Sequence, residues 1–250
     1  MGAAAAGILV ELGAEVVALD IADVAAPVQK FIRTDMKSKD SIDAALAELP
    51  GEIDVLFNCA GVPCPPFSPL DTMMINFVGL RHLTDGLLPR VRSGGSITSI
   101  ASTAGMAWKT NLEIVNTFLD LGTFDAGEAW LKEEPALNAD PYGFSKQCII
   151  VYTQRLAGEL AKRGVRINSI SPSPTASAFM TKLKTKIPGE ALKVFEPSIG
   201  READPVEMGR ALVLLGTDLA GFISGVNLPV DFGYCAEVAM GQRDNLMGIS

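Results

Sequence analysis

The sequence predicts an α/β protein in which a doubly wound parallel sheet is covered by helices on both faces. Short apolar runs typical of buried strands alternate along the chain with longer segments of helical periodicity. Two helices begin with a capping acid followed by proline, at Asp140-Pro141 and Asp204-Pro205. Ligands of such sheets bind beyond the carboxyl ends of the strands, so the functional residues are expected at that edge.

The predicted elements alternate regularly. Strands are expected at 15–20, 30–33, 53–58, 95–100, 165–170 and 226–230. Helices are expected at 3–12, 38–49, 70–90, 141–163 and 205–215, with two amphipathic helices in an insertion at about 107–139. We interpret the insertion as an extra packing layer.

The composition indicates a single domain spanning residues 1–250. With 48% hydrophobic residues the chain can bury one large core, and its net charge of −8 disfavours nucleic acids and anionic membranes as partners. Four cysteines without C-x-x-C pairing and one histidine, His82, provide no metal-ligand set and indicate a reduced, cytoplasmic protein. Residues 1–10 are apolar but lack a basic flank and are too short to span a membrane.

The clearest chemical pattern is formed by Tyr142 and Lys146, which are four residues apart and so share one helix face. A free tyrosine has a pKa near 10, and a fixed cation beside it lowers that pKa by favouring the phenolate. The pair could therefore provide a general base. A solvated helix face is the commoner meaning of this spacing, so the pair needs support from the rest of the chain.

That support begins at the amino terminus. A helix that starts near Gly2 leads into a strand that ends at Asp20, which is half of a dinucleotide-binding unit. The acid at the end of such a strand binds the adenosine ribose hydroxyls and repels a 2′-phosphate, so Asp20 favours NAD over NADP. After the strand at 53–58, the small residues Ala60 and Gly61 allow a ligand to approach the backbone closely.

Together these motifs resemble the short-chain dehydrogenase/reductase family, from Gly2 to about Tyr234. Tyr142 and Lys146 resemble its active-site pair, Asn76 in N-F-V-G resembles its catalytic asparagine, and Ser102 resembles the serine at the end of its catalytic strand. The resemblance implies a Rossmann-type three-layer sandwich that acts on alcohols or ketones.

The resemblance also implies a set of cofactor contacts. The segment N-C-A-G at 58–61 resembles the family's N-N-A-G turn, Asp35 matches the acid that contacts adenine, and the segment 172–177 resembles the P-G-x-x-x-T segment that holds the nicotinamide. The cofactor residues implied in this way are Gly2, Asp20, Asp35, Asn58, Ala60, Gly61, Tyr142, Lys146, Pro172, Thr175 and Ser177.

The implied mechanism divides the work among four side chains. Tyr142 takes the proton of the alcohol while hydride passes to the nicotinamide, and Ser102 hydrogen-bonds the substrate oxygen. Lys146 lowers the tyrosine pKa and binds the nicotinamide ribose, and Asn76 holds a water that links Lys146 to solvent.

One subgroup of the family is a better match than the family at large. The long interval between Ser102 and Tyr142 looks like that of the coniferyl-alcohol dehydrogenase and 3α-hydroxysteroid dehydrogenase (carbonyl reductase) group. Residues 175–201 include the apolar side chains Phe179, Met180, Leu183, Ile187, Leu192, Val194 and Phe195. They could form a lid over a bulky apolar substrate, such as a steroid or an aryl alcohol, or simply pack as core.

The sequence also departs from the family pattern. Ser173, Cys59 and Phe232 replace a glycine, an asparagine and a glycine, and Ser177 keeps the hydroxyl of the usual threonine. The serious departure is the missing first strand and Gly-rich turn, which would leave backbone groups of the neighbouring strands unpaired. We therefore expect Met1 to be internal to a longer chain. The alternative is a catalytically silent remnant that binds nucleotide weakly or only oligomerises.

Relatives pair through the long helices near Asn76 and Tyr142 and through the C-terminal strand, so the resemblance implies a homodimer or a homotetramer. The insertion immediately precedes one of these helices and could obstruct that interface. The choice between dimer and tetramer stays open.

Overall fold

The computed structural model describes residues 1–133, 139–246 and 248. Within them, all paired strands run parallel and form a sheet of two strands, β1-β2, and a sheet of four, β3-β4-β5-β6. The strands are β1 Val17–Asp20, β2 Lys30–Arg33, β3 Ile53–Asn58, β4 Val91–Ile100, β5 Arg166–Pro172 and β6 Asn227–Val230. The six predicted strands are all present.

Helices cover both faces of these sheets, as predicted for a doubly wound fold. On one face α1 and α10 pack with β5 through Ala5, Leu212 and Ile170, and on the other α2, α4 and α7 share a second core. The helices are α1 Gly2–Glu11, α2 Lys39–Glu48, α3 Pro69–Met73, α4 Gly79–Leu87, α5 Leu112–Asp120, α6 Phe124–Glu133, α7 Pro141–Ala161, α8 Ala178–Lys184, α9 Gly189–Leu192, α10 Pro205–Gly216 and α11 Tyr234–Ala239.

The two sheets do not join. In the part of the chain that the structure describes, β1 pairs only with β2, and β3 pairs only with β4. A cavity of about 1490 Å³ is lined on one side by Val17 and Leu19 of β1 and on the other by Val55 and Phe57 of β3. The gap has the position that the sequence predicts for the missing first strand.

Side-chain caps fix the starts of two helices where the sequence predicts them. The Asp140 carboxylate accepts a hydrogen bond from the Gly143 N–H at 2.8 Å. At α10, Asp204 accepts from the Val206 N–H at 2.8 Å, and the Asp204 N–H donates to the Glu207 carboxylate at 2.7 Å. This reciprocal capping box satisfies N–H groups that the first helical turn leaves free.

The helix predicted at 70–90 is not continuous. It consists of α3, a π-helical turn over Met74–Val78 and α4, and it ends in a 3₁₀ turn at Leu88–Arg90. The start of α4 packs closely against the backbone after β2. A Cβ on Gly79 would stand 1.9 Å from the Met36 carbonyl oxygen, so only glycine fits at this contact. Such π turns insert one residue and are frequent at functional sites.

The insertion forms two helices, α5 and α6, which pack on α7 through aromatic rings. The Phe118 ring centroid lies 4.9 Å from that of Trp130 and 5.8 Å from that of Phe144. The buried Arg81 of α4 donates to the Leu119 carbonyl at 3.3 Å and to the Thr123 carbonyl at 2.8 Å. Residues 134–138 of the predicted insertion lie outside the described residues.

Within the described residues, none of the helices has both the length and the apolar character that a bilayer crossing requires. The same residues contain no group of three or more His, Cys, Asp and Glu side chains arranged to hold a metal ion. The four cysteines are free thiols.

Candidate active site

The end of β4 and the first turn of α7 bring Ser102 and Tyr142 together on the wall of the cavity. Burial raises the pKa of Tyr142 to about 12, although a hydrogen bond with Ser102 acts in the opposite direction. The charge of Asp140 adds to the rise. Tyr142 is therefore a phenol, not a phenolate, at neutral pH in this structure.

Lys146 lies under the tyrosine and is almost completely buried. Its Nζ atom donates to the Ile100 carbonyl oxygen at 2.9 Å and lies 5.7 Å from the centroid of the Tyr142 ring. Burial lowers the pKa of Lys146 to about 8. Lys146 is not among the groups that shift the Tyr142 pKa here, because its ammonium group binds the end of β4.

Asn76 occupies the π turn and is fully buried. Its Nδ2 atom donates to the Val62 carbonyl at 3.0 Å and to Ser145 Oγ at 3.2 Å, and its Oδ1 atom accepts from the Val62 N–H at 2.8 Å. A Cβ on Gly61 would lie 3.4 Å from Asn76 Oδ1 and 3.5 Å from Lys146 Nζ. The backbone at Gly61 therefore passes close to both of these side chains.

Three features of the cavity fit a nicotinamide dinucleotide. The amino terminus of α1 opens onto the cavity at Gly2 without a side-chain cap, which leaves N–H groups for an anion such as a pyrophosphate. A Cβ on Gly2 would stand 2.9 Å from Cys59 Cβ, so no larger residue fits there. Asp20 lines the cavity at the end of β1, and Ala60 lines it after β3.

Two predicted cofactor residues are engaged elsewhere. Asp35 is not among the residues that line the cavity, and its carboxylate accepts from the Lys37 N–H at 2.9 Å. The buried Asn58 side chain donates to Thr84 Oγ1 at 3.0 Å and to Ser99 Oγ at 3.1 Å. Asn58 therefore joins β3 to β4 and α4, and its amide nitrogen is engaged within the protein.

The predicted nicotinamide segment does line the cavity, through Pro172, Thr175 and Ser177. Thr175 Oγ1 donates to the Ser173 carbonyl at 2.9 Å, and Ser177 Oγ donates to the Thr175 carbonyl at 2.9 Å while it caps α8. These hydrogen bonds hold the segment in one conformation. A ligand bound there would contact the segment in that conformation.

The predicted lid faces Tyr142. The Phe179 ring centroid lies 5.4 Å from that of Tyr142. Val194 is 42% exposed and does not line the cavity. The other six predicted lid side chains line it: Phe179, Met180, Leu183, Ile187, Leu192 and Phe195.

Among the cavity residues that were not predicted, two amide side chains are hydrogen-bonded to each other. Gln147 follows Lys146 on α7, is 4% exposed and lines the cavity, and Asn111, directly before α5, lines it too. The available signal was a lone amide directly before the apolar run Cys148–Val151. Without the position of α5 this signal did not distinguish a cavity residue from one on a packed face.

The chain is similar in sequence to known proteins. Residues 1–112 match the family model described as short chain dehydrogenase, and residues 131–235 match the one described as Enoyl-(Acyl carrier protein) reductase. Each model covers one part of the same predicted catalytic domain.

Similar proteins cover nearly the whole chain. Coniferyl-alcohol dehydrogenase of Pseudomonas sp. (strain HR199 / DSM 7063) is 31% identical over 93% of this chain and 91% of its own length. The 3-alpha-hydroxysteroid dehydrogenase/carbonyl reductase of Comamonas testosteroni is 28% identical over the same shares. The solved structure of 3-alpha-hydroxysteroid dehydrogenase from Pseudomonas sp. B-0831 complexed with NADH matches with a TM-score of 0.80 and 25% identity, covering 96% of this chain and 93% of that one. The chain belongs to the short-chain dehydrogenase/reductase family of oxidoreductases.

Proposed function

We propose that this protein transfers a hydride between NAD and a bulky apolar alcohol or ketone, such as a steroid or an aryl alcohol. The observation that carries the proposal is the contact between Phe179 of the lid and Tyr142, which puts an apolar wall directly against a proton-transferring group. The names of the similar dehydrogenases, which include coniferyl alcohol and a hydroxysteroid, support the same substrate class.

The chain's own residues would manage the proton. In the direction of reduction, Tyr142 is a phenol that can donate to the substrate oxygen, and Ser102 steadies that oxygen by a hydrogen bond. In the direction of oxidation Tyr142 must lose its proton first. A protonated Lys146 would favour the phenolate once its ammonium group, 5.7 Å from the ring centroid, turned from the Ile100 carbonyl towards the phenol. A bound nicotinamide would supply the hydride chemistry.

We propose NAD rather than NADP because Asp20 projects a carboxylate into the cavity at the end of β1. Its Oδ1 atom accepts from the Ala22 N–H at 3.0 Å, which fixes the carboxylate close to the backbone turn. A 2′-phosphate beside this group would meet a like charge, whereas ribose hydroxyls could donate to it.

We also propose that the protein is cytoplasmic and self-associates through the side of the molecule that carries β6. The face of α7 near Phe144 is already covered by the insertion. Near β6, Leu219 and Phe222 are among the most exposed large apolar residues of the described chain, 84% and 105% exposed. Light scattering of the native protein and of Phe222→Asp tests this: we expect a dimer or a tetramer whose mass the substitution lowers, and a native monomer would contradict it.

The activity itself is tested by supplying the native protein with a panel of steroid, aryl and short aliphatic alcohols, with NAD and with NADP. Formation of reduced cofactor with the bulky alcohols and NAD is expected. If no alcohol is oxidised and no ketone reduced, the protein is a catalytically silent member of the fold, and the proposal is wrong.

A further inference from the structure

Gln147 is a buried polar side chain that the proposed reaction does not use. It is 4% exposed, follows Lys146 directly on α7 and lines the cavity. Its side chain makes one hydrogen bond to the described residues, in which Gln147 Oε1 accepts from Asn111 Nδ2 at 2.9 Å. An amide with a single protein partner at a cavity wall has hydrogen-bonding capacity left for water or for a ligand.

One hydrogen bond uses only part of what the two amides offer. A primary amide has two N–H donors and a carbonyl acceptor. Gln147 Nε2 donates to no described residue, and the side-chain oxygen Asn111 Oδ1 accepts from none. Exchanging the oxygen and nitrogen of both amides leaves the same free capacity, one amide nitrogen and one carbonyl, so the conclusion does not depend on their orientation.

The position of the amide pair relative to Tyr142 indicates how long the substrate must be. Gln147 lies five positions after Tyr142 on α7, a rise of about 7.5 Å along the helix axis at 1.5 Å per residue and about 140° around it. The rise is a lower limit for the separation of the two side chains, so a substrate that meets both must be at least about this long.

The chemistry of the surroundings sets the kind of group. Both amides are neutral, and apolar residues such as Ala107 and Leu246 line the same cavity. Asp140 and Lys146 line it too and carry opposite charges, so the cavity has no strong preference for a charged group. The pair therefore suits a neutral hydroxyl, carbonyl or ether.

We propose that Gln147, held by Asn111, binds a second neutral polar group of the substrate. The substrates are then apolar alcohols or ketones that carry a hydroxyl, carbonyl or ether at the end remote from the reacting carbon. This inference rests on the proposed function, because it assumes that Tyr142 marks the reacting end.

The test compares two alcohols of one carbon skeleton, cinnamyl alcohol and its para-hydroxy analogue. Calorimetric titration of the protein with each, and kcat/KM with NAD, give the preference for the hydroxylated compound. We expect about a tenfold preference, equivalent to about 1.4 kcal/mol, in the native protein. The preference should fall to about one in Gln147→Leu and be reduced in Asn111→Leu, while affinity for cinnamyl alcohol is kept.

A matched control is Asn116→Leu, also on α5, whose amide oxygen accepts from Arg155 at 3.2 Å and does not line the cavity. It should keep the full preference. Circular dichroism checks that each variant folds, and Gln147→Met, of similar volume, replaces Gln147→Leu if that variant does not fold.

The two measurements separate this inference from the proposed function. A binding preference without turnover of any alcohol would refute the proposed reaction and leave the amide site standing. Turnover without a preference, or a preference that survives both Gln147→Leu and Gln147→Met, would refute the amide site.

Discussion

The Nζ atom of Lys146 stands 5.7 Å from the centroid of the Tyr142 ring and donates to the Ile100 carbonyl at 2.9 Å. The lysine therefore joins the end of β4 to the helix that carries the tyrosine, and its cationic form has little water around it. Its lowered pKa, about 8, is the result.

This lowered pKa predicts how stability depends on pH. Between about pH 8 and 10.5 the unfolded chain binds more protons at this lysine than the folded one, so stability should rise with pH through that window. The rise from this lysine is at most about 3 kcal/mol, from 1.36 kcal/mol per pKa unit. Urea unfolding of the native protein and of Lys146→Met at pH 8 and pH 10 should show a smaller rise in the variant. An equal rise in both would mean that Lys146 is not destabilised by burial.

The raised pKa of Tyr142 has the opposite effect on how stability depends on pH. The folded protein holds the phenolic proton up to about pH 12, so stability from this group is lost as pH rises above 10. The comparison of Lys146→Met with the native protein is therefore confined to pH 10 and below. Exposed Lys162, at the end of α7, provides the control, because Lys162→Met should retain the native rise.

Asp20 should determine the choice of cofactor. Asp20→Asn removes the charge that a 2′-phosphate would meet, so affinity for NADP should rise about tenfold and affinity for NAD should fall. Calorimetric titration with each nucleotide measures both. Asp23→Asn, which removes a nearby carboxylate that pairs with Arg33, should change neither affinity. Unchanged NADP binding in Asp20→Asn would place the adenosine ribose elsewhere.

Two helical glycines should respond to alanine in opposite ways. Gly79→Ala would bring a Cβ to 1.9 Å from the Met36 carbonyl oxygen, so α4 must shift and stability should fall by about 2 kcal/mol or more. Gly7 of α1 has no atom within 4 Å of its Cβ position, and Gly7→Ala should stabilise by up to about 1 kcal/mol. Denaturant midpoints of the two variants measure these stability changes. A Gly79→Ala variant as stable as the native protein would contradict the close packing of α4 on Met36.

Arg243 should hold the end of the lid. Its guanidinium donates to the Val194 carbonyl at 3.2 Å, the Glu196 carbonyl at 3.0 Å and Ser198 Oγ at 3.1 Å, and it pairs with Glu237 at 3.0 Å. Arg243→Ala frees this segment, so trypsin should cut the region of 182–193 several times faster than in the native protein. KM for bulky alcohols should rise more than KM for small ones.

The matched control for the lid is Arg155→Ala on α7, which removes a pair with Asp120 of α5 and should leave lid cleavage unchanged. Identical cleavage of Arg243→Ala and native protein would show that the lid is held by its apolar contacts alone.

Local features of the site could be predicted from the sequence, and non-local ones could not. Asp140 as a cap and the shared face of Tyr142 and Lys146 follow from spacing within one helix. The π turn at Asn76 depends on Val62, which lies 14 residues away across a loop. No local sequence pattern predicts this π turn.

The same limit explains the other differences. The partner of Lys146, the Ile100 carbonyl, comes from a strand 46 residues earlier, and so the ammonium group lies beside the strand end and not the phenol. The amide pair of Gln147 and Asn111 likewise depends on where α5 lies against α7. The parallel strands and their order along the chain were predictable, whereas the division into two sheets was not predicted.

The central claim is that Tyr142 transfers the proton of an NAD-linked reaction. The most direct measurement is the rate of NADH formation from a bulky apolar alcohol by the native protein, Tyr142→Phe and Tyr152→Phe. Tyr152 lies on the same helix and donates to Asp85 outside the cavity, so Tyr152→Phe controls for the loss of a tyrosine. We predict that Tyr142→Phe lowers kcat by about 10² to 10⁴ while NAD still binds, and that Tyr152→Phe remains active. Normal turnover by Tyr142→Phe would contradict the account.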